Sequence, residues 1–240
     1  MVLITFMFWE HSEGKSMSIK HVKNGLIINA YKAKSKILID GIIRKNEWLD
    51  ADSICFNDNG ELDKRRSATV YVLWDNKFLY VAFDIDRKNP KAKVTQRDGD
   101  GLWLDDGIEL LIDANNDKGK YFMPDDIAYH INILNAVYDD RGTGGEDQDF
   151  NWNGKAKHKM KLKKSKNEVI GYTCEIAVPW SEIGVKPKAG ETVLGVDFCV
   201  NGTDDETGAY HYFDWAGLKL FHYPDGFGQL YLVGPRNHSN

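Results

Sequence analysis

The sequence predicts an all-β protein, a two-sheet β-sandwich of jelly-roll or immunoglobulin-like type with mostly antiparallel strands. Three observations lead there. The apolar runs are short, punctuated by Gly, Asn and Asp, and several alternate with polar residues. No long stretch keeps clean helical spacing of its apolar positions. No strand–helix–strand rhythm occurs either, which argues against a parallel sheet.

The expected strands follow in chain order. Leu26–Tyr31 and Ile37–Asp40 open the series. Ser67–Trp74 and Phe78–Asp84 form a hairpin across Asp75–Lys77, whose composition is that of a turn. Ile108–Asp113, Ile127–Leu134, Lys155–Leu162 and Glu168–Ala177 come next, then Thr192–Val200, Tyr210–Phe213 and Phe227–Val233. Short helical turns are expected at Lys45–Asp50 and Trp180–Ile183. Lys155, Lys157, Lys159, Lys161 and Lys163 recur at spacing two. That pattern marks an outer or edge strand whose lysines discourage further pairing, or else a patch for an anionic partner.

No Pro/Ser-rich linker divides the chain, so residues 25–236 are expected to form one domain. Its 240 residues are enough to bury roughly 70–75% of the unfolded surface without a staple. Residues 1–24 read as a poorly ordered extension and 237–240 as a tail. The apolar run Val2–Trp9 is far short of the ~20 residues of a membrane span. It also lacks the basic flank and the small-residue cleavage site of a signal peptide.

Charge excludes one class of partner. With 31 basic and 36 acidic residues the net charge is −5, unsuited to a nucleic-acid backbone. Three cysteines (Cys55, Cys174, Cys199) are too few and too dispersed for a disulfide scaffold or a thiolate zinc site. The 7 Trp, 11 Tyr and 11 Phe point to aromatic-rich packing, with a few rings left for a ligand.

Catalytic signatures are scarce: the chain holds no GxSxG, HExxH, phosphate loop or dinucleotide fingerprint. Whether His130, His211 and His222 converge is not visible in the sequence. The acidic residues Asp105, Asp106, Glu109, Asp113, Asp125, Asp126, Asp139 and Asp140 offer carboxylate pairs of the kind a glycosidase needs, but any acidic β-protein does. The segment Gly101–Lys118 is the most informative. Trp103 precedes an acidic turn, and a strand then places Glu109 and Leu111 on one face and Ile108, Leu110 and Ile112 on the other. A tryptophan ring stacks on the C–H face of a sugar, and a carboxylate accepts from its hydroxyls. Core packing of Trp103 and simple exposure of Glu109 is the plainer alternative.

The loop Asp113–Gly119 supplies oxygen donors at Asp113, Asn115 and Asp117, which is either an Asn/Asp turn or a calcium site unlike an EF-hand. The Gly-rich stretch from Asp139 to Asp149 reads as a long rim loop. Tyr223, before a proline in a turn, is the best candidate for an exposed ring, with Trp215 as the alternative.

Taken in order, several of these segments resemble the family 9 carbohydrate-binding modules. They are Ile37–Gly41 with Glu47–Trp48, Val70–Val81, Trp103–Asp113, Tyr172–Trp180, Gly195–Phe198 and Tyr223–Gly228. The resemblance implies a non-catalytic module in which two aromatic rings sandwich the terminal sugar of a glucan or xylan chain. Trp103 and Glu109 match the family's tryptophan and glutamate. Tyr223 stands where the family has its second tryptophan, His130 where it has an arginine, and Leu220 where it has an asparagine. Structural calcium is implied too, as are an extracellular or periplasmic location and action as a monomer or within a larger glycan-active system. A hydrolase using paired carboxylates, a haem-binding relative with Met123 or His130 as axial ligand, and a sandwich mediating protein contacts are the competing readings.

Overall fold

The computed structural model describes residues 26–57, 67–203, 207–218 and 221–237. The expected extension (1–24) and, apart from residue 237, the expected tail lie outside these residues. So does Leu220.

Strands account for nearly all of the regular structure. They are β1 (Ile27–Lys32), β2 (Asp52–Asn57), β3 (Ser67–Trp74), β4 (Phe78–Asp86), β5 (Gly107–Asp113), β6 (Asp126–Asn132) and β7 (Val137–Gly142). Then come β8 (Gln148–Asp149), β9 (Lys157–Ser165), β10 (Glu168–Pro179), β11 (Val193–Thr203), β12 (Tyr210–Asp214) and β13 (Gly228–Val233). One helical turn, α1 (Lys45–Trp48), falls within the expected Lys45–Asp50. The segment at 180–184 is a plain turn rather than a helical one, and the strand expected at Ile37–Asp40 does not form: the segment has no ladder partner among the described residues and bends at Asp40, whose N–H donates to the Leu38 carbonyl at 3.1 Å.

The fold is all-β and mostly antiparallel, but the expected division into two separate sheets is corrected. The ladder runs unbroken as β8-β7-β6-β5-β11-β13-β1-β3-β4-β10-β9, with β12 on β11 and β2 on β3. β1 makes the join. It pairs in parallel with β13 on one side and with β3 on the other, so the chain's first and last strands bridge its two halves.

The two arms nonetheless face each other over one core. Phe83 of β4 meets Phe198 of β11 edge-on at 5.9 Å, and the Tyr172 hydroxyl of β10 donates to the Gly107 carbonyl of β5 at 3.0 Å. Alternation drives this arrangement: Val70, Val72, Val81, Phe83, Ile85, Ile108, Leu110, Ile112, Val196 and Phe198 all point into the same buried cluster. At the far edge, β9 carries four of the spaced lysines, Lys157, Lys159, Lys161 and Lys163, and among the described residues it pairs only with β10, as an edge strand does.

Two smaller clusters cover the outer faces. One packs Ile37, Trp48, Leu73, Tyr80 and Ala82 under the segment preceding α1. The other joins Leu111, Phe122, Ala128, Cys199 and Phe227. That second cluster leaves β5 buried along its whole length, on both faces.

Candidate functional site

The register of four neighbouring strands builds the site. Glu109 of β5 is directly opposed to Cys199 of β11 and His130 of β6, and His130 is opposed to Tyr138 of β7. Directly opposed residues project to the same side of a sheet, so Cys199, Glu109, His130 and Tyr138 form one cross-strand row. Two residues along each strand lies a second row on the same face: Asp197, Leu111, Ala128 and Asp140. The face Glu109 shares with Leu111 is thus a polar row beside a small apolar cluster.

Glu109 is fully buried. Its Oε1 lies 2.7 Å from His130 Nδ1 and accepts from the Asn201 side chain, which reaches across from β11. Burial pulls the His130 pKa down. The carboxylates of Glu109, Asp140 and Asp139 outweigh that effect, and the net shift is upward. On the other side of the ring, Nε2 lies 3.8 Å from Asp140 Oδ2. His222 enters from the loop after β12, with Nε2 3.3 Å from Asp140 Oδ1 and its ring 6.3 Å from that of His130. Phe122 packs edge-on against His222 at 4.7 Å. Of the three histidines in question, two converge.

Trp103 sits in a single 3-10 turn, Leu102–Leu104, entered through Gly101 at φ 75°, a left-handed conformation that favours glycine. Two buried aspartates fix this turn to the start of β5. Asp105 accepts from the backbone N–H groups of Lys93 and Val94 and from the Asn132 side chain, at 2.9–3.1 Å. Asp106 accepts from Arg87 Nε at 3.0 Å and from the Lys91 N–H at 2.6 Å. These carboxylates are therefore engaged as clamps. Gly107, the next residue, is required by close approach, because a Cβ there would lie 2.4 Å from the Ile131 carbonyl oxygen.

The turn leaves Trp103 half-buried, its ring edge-on to Tyr138 at 5.4 Å, and Tyr138 in turn lies 5.9 Å from His130. Tyr223, also half-buried, directly follows His222 and opens the second 3-10 turn, Pro224–Gly226. Trp103 thus borders the His130–His222 group through Tyr138, and Tyr223 follows His222 in the chain. Exposed Phe150 extends the rim, 5.9 Å from Tyr138. Trp215 is not brought to this group. It stacks on Phe198 at 5.5 Å, and its ring fills the space a Cβ at Gly228 would need, so it serves the core.

Tyr138 and Asn201 were not among the residues expected from the sequence, and Asp140 was expected only as one of many acidic residues. Asp140 lies on β7, where the sequence reads as a rim loop from Asp139 on, and Tyr138 directly precedes that stretch. Asn201 lies one residue beyond the expected strand Thr192–Val200, within β11, which runs on to Thr203.

A second acidic group lies at the other end of β5. Asp113, Asp125 and Asp126 bring one carboxylate oxygen each within 4.8 Å of one another. Asn115 and Asp117, expected beside Asp113, enter through their backbones: the Asn115 N–H donates to Asp125 Oδ2 and the Asp117 N–H to Asp113 Oδ1, both at 3.2 Å. Asp126 Oδ1 is buried and lacks a hydrogen-bond partner among the described residues. Burial, then the neighbouring carboxylates of Asp113, Asp125 and Asp117, push the Asp126 pKa up to about 8 against one opposing backbone hydrogen bond. An all-oxygen donor set with an orphaned buried carboxylate oxygen fits a hard cation such as Ca²⁺.

The family model described as "Carbohydrate family 9 binding domain-like" matches residues 39–235. The chain is 30% identical over 199 residues to endo-1,4-beta-xylanase A of Thermotoga maritima, covering 81% of this chain and 16% of that protein. It is 32% identical over 201 residues to exoglucanase XynX of Acetivibrio thermocellus, covering 82% of this chain and again 16% of the relative. The chain therefore spans about a sixth of the length of these relatives.

Among solved structures, a carbohydrate binding module family 9 protein from Caldicellulosiruptor kristjanssonii in complex with glucose superposes with a TM-score of 0.66 at 21% identity, covering 88% of this chain and 99% of that one. The same organism's module in complex with cellotriose gives 0.65 at 21%, over 88% and 95%. A putative carbohydrate-binding protein from Bacteroides uniformis gives 0.64 at 14%, over 87% and 100%. The family-model match extends over residues 39–235, most of the chain, and leads to one assignment: this chain belongs to the carbohydrate family 9 binding domain-like family.

Proposed function

We propose that this chain is a non-catalytic saccharide-binding module that takes the terminal ring of a glucan, xylan or related oligosaccharide. Trp103 and Tyr223 supply the stacking faces, and Glu109 and His130 are the polar contacts beneath them. The observation that carries this reading is the position of Trp103: a half-buried indole held by two buried aspartate clamps, one ring away from a buried Glu109–His130 pair. Indole faces stack on sugar C–H groups, while a carboxylate in a site that excludes water accepts strongly from hydroxyls. The glucose and cellotriose named for the structural neighbours support the ligand class. The test is titration calorimetry with cellotriose on the chain and on Trp103→Ala.

The relatives are xylanases and an exoglucanase of which this chain matches only 16%, which supports a role beside a catalytic unit in an extracellular or periplasmic glycan-degrading system. Haem is disfavoured by the surroundings of His130. The ring is wedged between the carboxylates of Glu109 and Asp140 and the rings of Tyr138 and His222, rather than opening on a flat apolar slot.

Calcium belongs to the same reading. Asp113, Asp125 and Asp126 would hold it, and its charge would compensate carboxylates that burial otherwise disfavours. Its role there is structural, tying the end of β5 to the start of β6.

A further inference from the structure

The row beneath the aromatic rim contains a grouping that stacking on a sugar does not require. One ring nitrogen each from His130 and His222, and a carboxylate oxygen of Asp140, lie within 4.8 Å of one another. Asp140 is 0% exposed, and neither of its oxygens has a hydrogen-bond partner among the described residues. An ionised carboxylate in that position is costly unless a cation faces it. The nearest arginines in sequence are engaged elsewhere. Arg97 pairs with Asp139, and Arg141 donates to the Glu182 carbonyl at 2.7 Å while lying over the Trp152 ring.

We propose that His130, Asp140 and His222 form a binding site for a divalent transition-metal ion of the zinc class. Two imidazoles and one carboxylate, with a further position open, is a donor set such ions take readily. The spacing fits as well. With bonds of about 2.0–2.1 Å at tetrahedral angles, neighbouring donor atoms stand about 3.3–3.4 Å apart. His222 Nε2 and Asp140 Oδ1 are already 3.3 Å apart, His130 Nε2 lies 3.8 Å from the other oxygen, Asp140 Oδ2, and one donor atom from each of the three residues lies within 4.8 Å of the others.

The surrounding shell fits too. Glu109 Oε1 lies 2.7 Å from His130 Nδ1 while Nε2 lies toward Asp140, the placement of a carboxylate–histidine–metal arrangement, in which an outer carboxylate sets the tautomer of a ligating histidine. Asn201 donates to that same Glu109 oxygen, and Phe122 packs edge-on against His222. The remaining coordination position takes water or an oxygen of a bound molecule. With the ion in place both His130 nitrogens are engaged, so His130 would meet a saccharide hydroxyl through the ion rather than directly, and the metal site itself does not rest on that contact.

The test starts from the full chain stripped with EDTA and exchanged into buffer containing CaCl₂, so that the Asp113 group is supplied separately. Titration calorimetry with ZnCl₂ is expected to show one site per chain. Asp140→Asn and His222→Gln should lose it, Glu109→Gln should weaken it by about 10–100-fold, and His158→Gln should leave it unchanged. Co²⁺ added to the unsubstituted chain should give the visible bands of a low-coordinate nitrogen/oxygen site that Zn²⁺ then bleaches, a readout independent of any variant's folding. Absence of a Zn²⁺ heat in the unsubstituted chain, or Zn²⁺ binding that survives both Asp140→Asn and His222→Gln, overturns the proposal. Cellotriose titrations with and without EDTA separate the two readings. Sugar binding without Zn²⁺ binding removes only the metal site, and Zn²⁺ binding without sugar binding leaves the metal site standing.

Discussion

Glu109 Oε1 and His130 Nδ1 face each other at 2.7 Å from directly opposed positions on β5 and β6, and Asn201 on β11 donates to the same oxygen. Three strands thereby meet at one buried carboxylate oxygen. Glu109→Gln keeps the shape and an acceptor but removes the charge. The expected outcome is saccharide binding weaker by about 1.5–3 kcal/mol, the range for a hydrogen bond to a charged group, as read by calorimetry. The fold should survive, as read by circular dichroism.

Glu175 on β10 does a different job. It is fully buried and accepts from the backbone N–H groups of Asp40 at 3.0 Å and Gly41 at 2.8 Å, and from Trp48 Nε1 at 3.0 Å. It thus ties the segment before α1 to the sheet, far along the ladder from Glu109. Glu175→Ala would leave three donors without their acceptor and should destabilise the fold by roughly 2–4 kcal/mol in urea titrations. Saccharide affinity of the folded protein should be unchanged.

Asp197 gives a pH signature. Burial first, then the neighbouring Asp214 and Glu109 carboxylates, raise its pKa well above the ordinary value, against hydrogen bonds from the Phe198 and Ala216 N–H groups. The folded state therefore keeps a proton that the unfolded chain has already released. Stability contributed by this group is full at low pH and declines as pH rises from about 4 towards the folded-state pKa. Asp197→Asn, whose amide oxygen still accepts from the same backbone donors, should remove that decline. Its melting temperature should exceed that of the parent chain at about pH 8 and approach it at about pH 4.

Calcium should act through a separate group. If Asp113, Asp125 and Asp126 hold the ion, a hundredfold excess of Ca²⁺ over its dissociation constant should stabilise the fold by about 2.7 kcal/mol. EDTA should reverse the gain and Asp126→Asn should abolish it. A melting temperature indifferent to Ca²⁺ would remove the ion from the account.

Much of the ladder was legible because its strands obey the two-residue period. β3, β4, β5, β10 and β11 each alternate or run apolar between turn residues, and the lysines of β9 identify an edge. The continuity of the sheet was not legible, because it depends on parallel pairing between the chain's two ends, which leaves no local mark.

The site divides in the same way. Trp103, Glu109 and His130 stand out from their neighbours by residue type. β7 does not: from Asp139 on, its two aspartates and arginine fall in the Gly-rich stretch that reads as a loop. Yet Asp139 and Asp140 are buried, because the groups facing them, Arg97 and His222, come from distant segments. A buried carboxylate is recognisable only by its partners, and these lie far away in sequence.

Calorimetric titration of cellotriose into the chain and into Trp103→Ala decides whether Trp103 presents a stacking face for a saccharide. The parent chain is expected to show one binding site. Trp103→Ala is expected to lose that binding, with an unchanged circular dichroism spectrum and little change in melting temperature. Equal cellotriose affinity in the two proteins, or unfolding of Trp103→Ala as though the indole were part of the core, would contradict it.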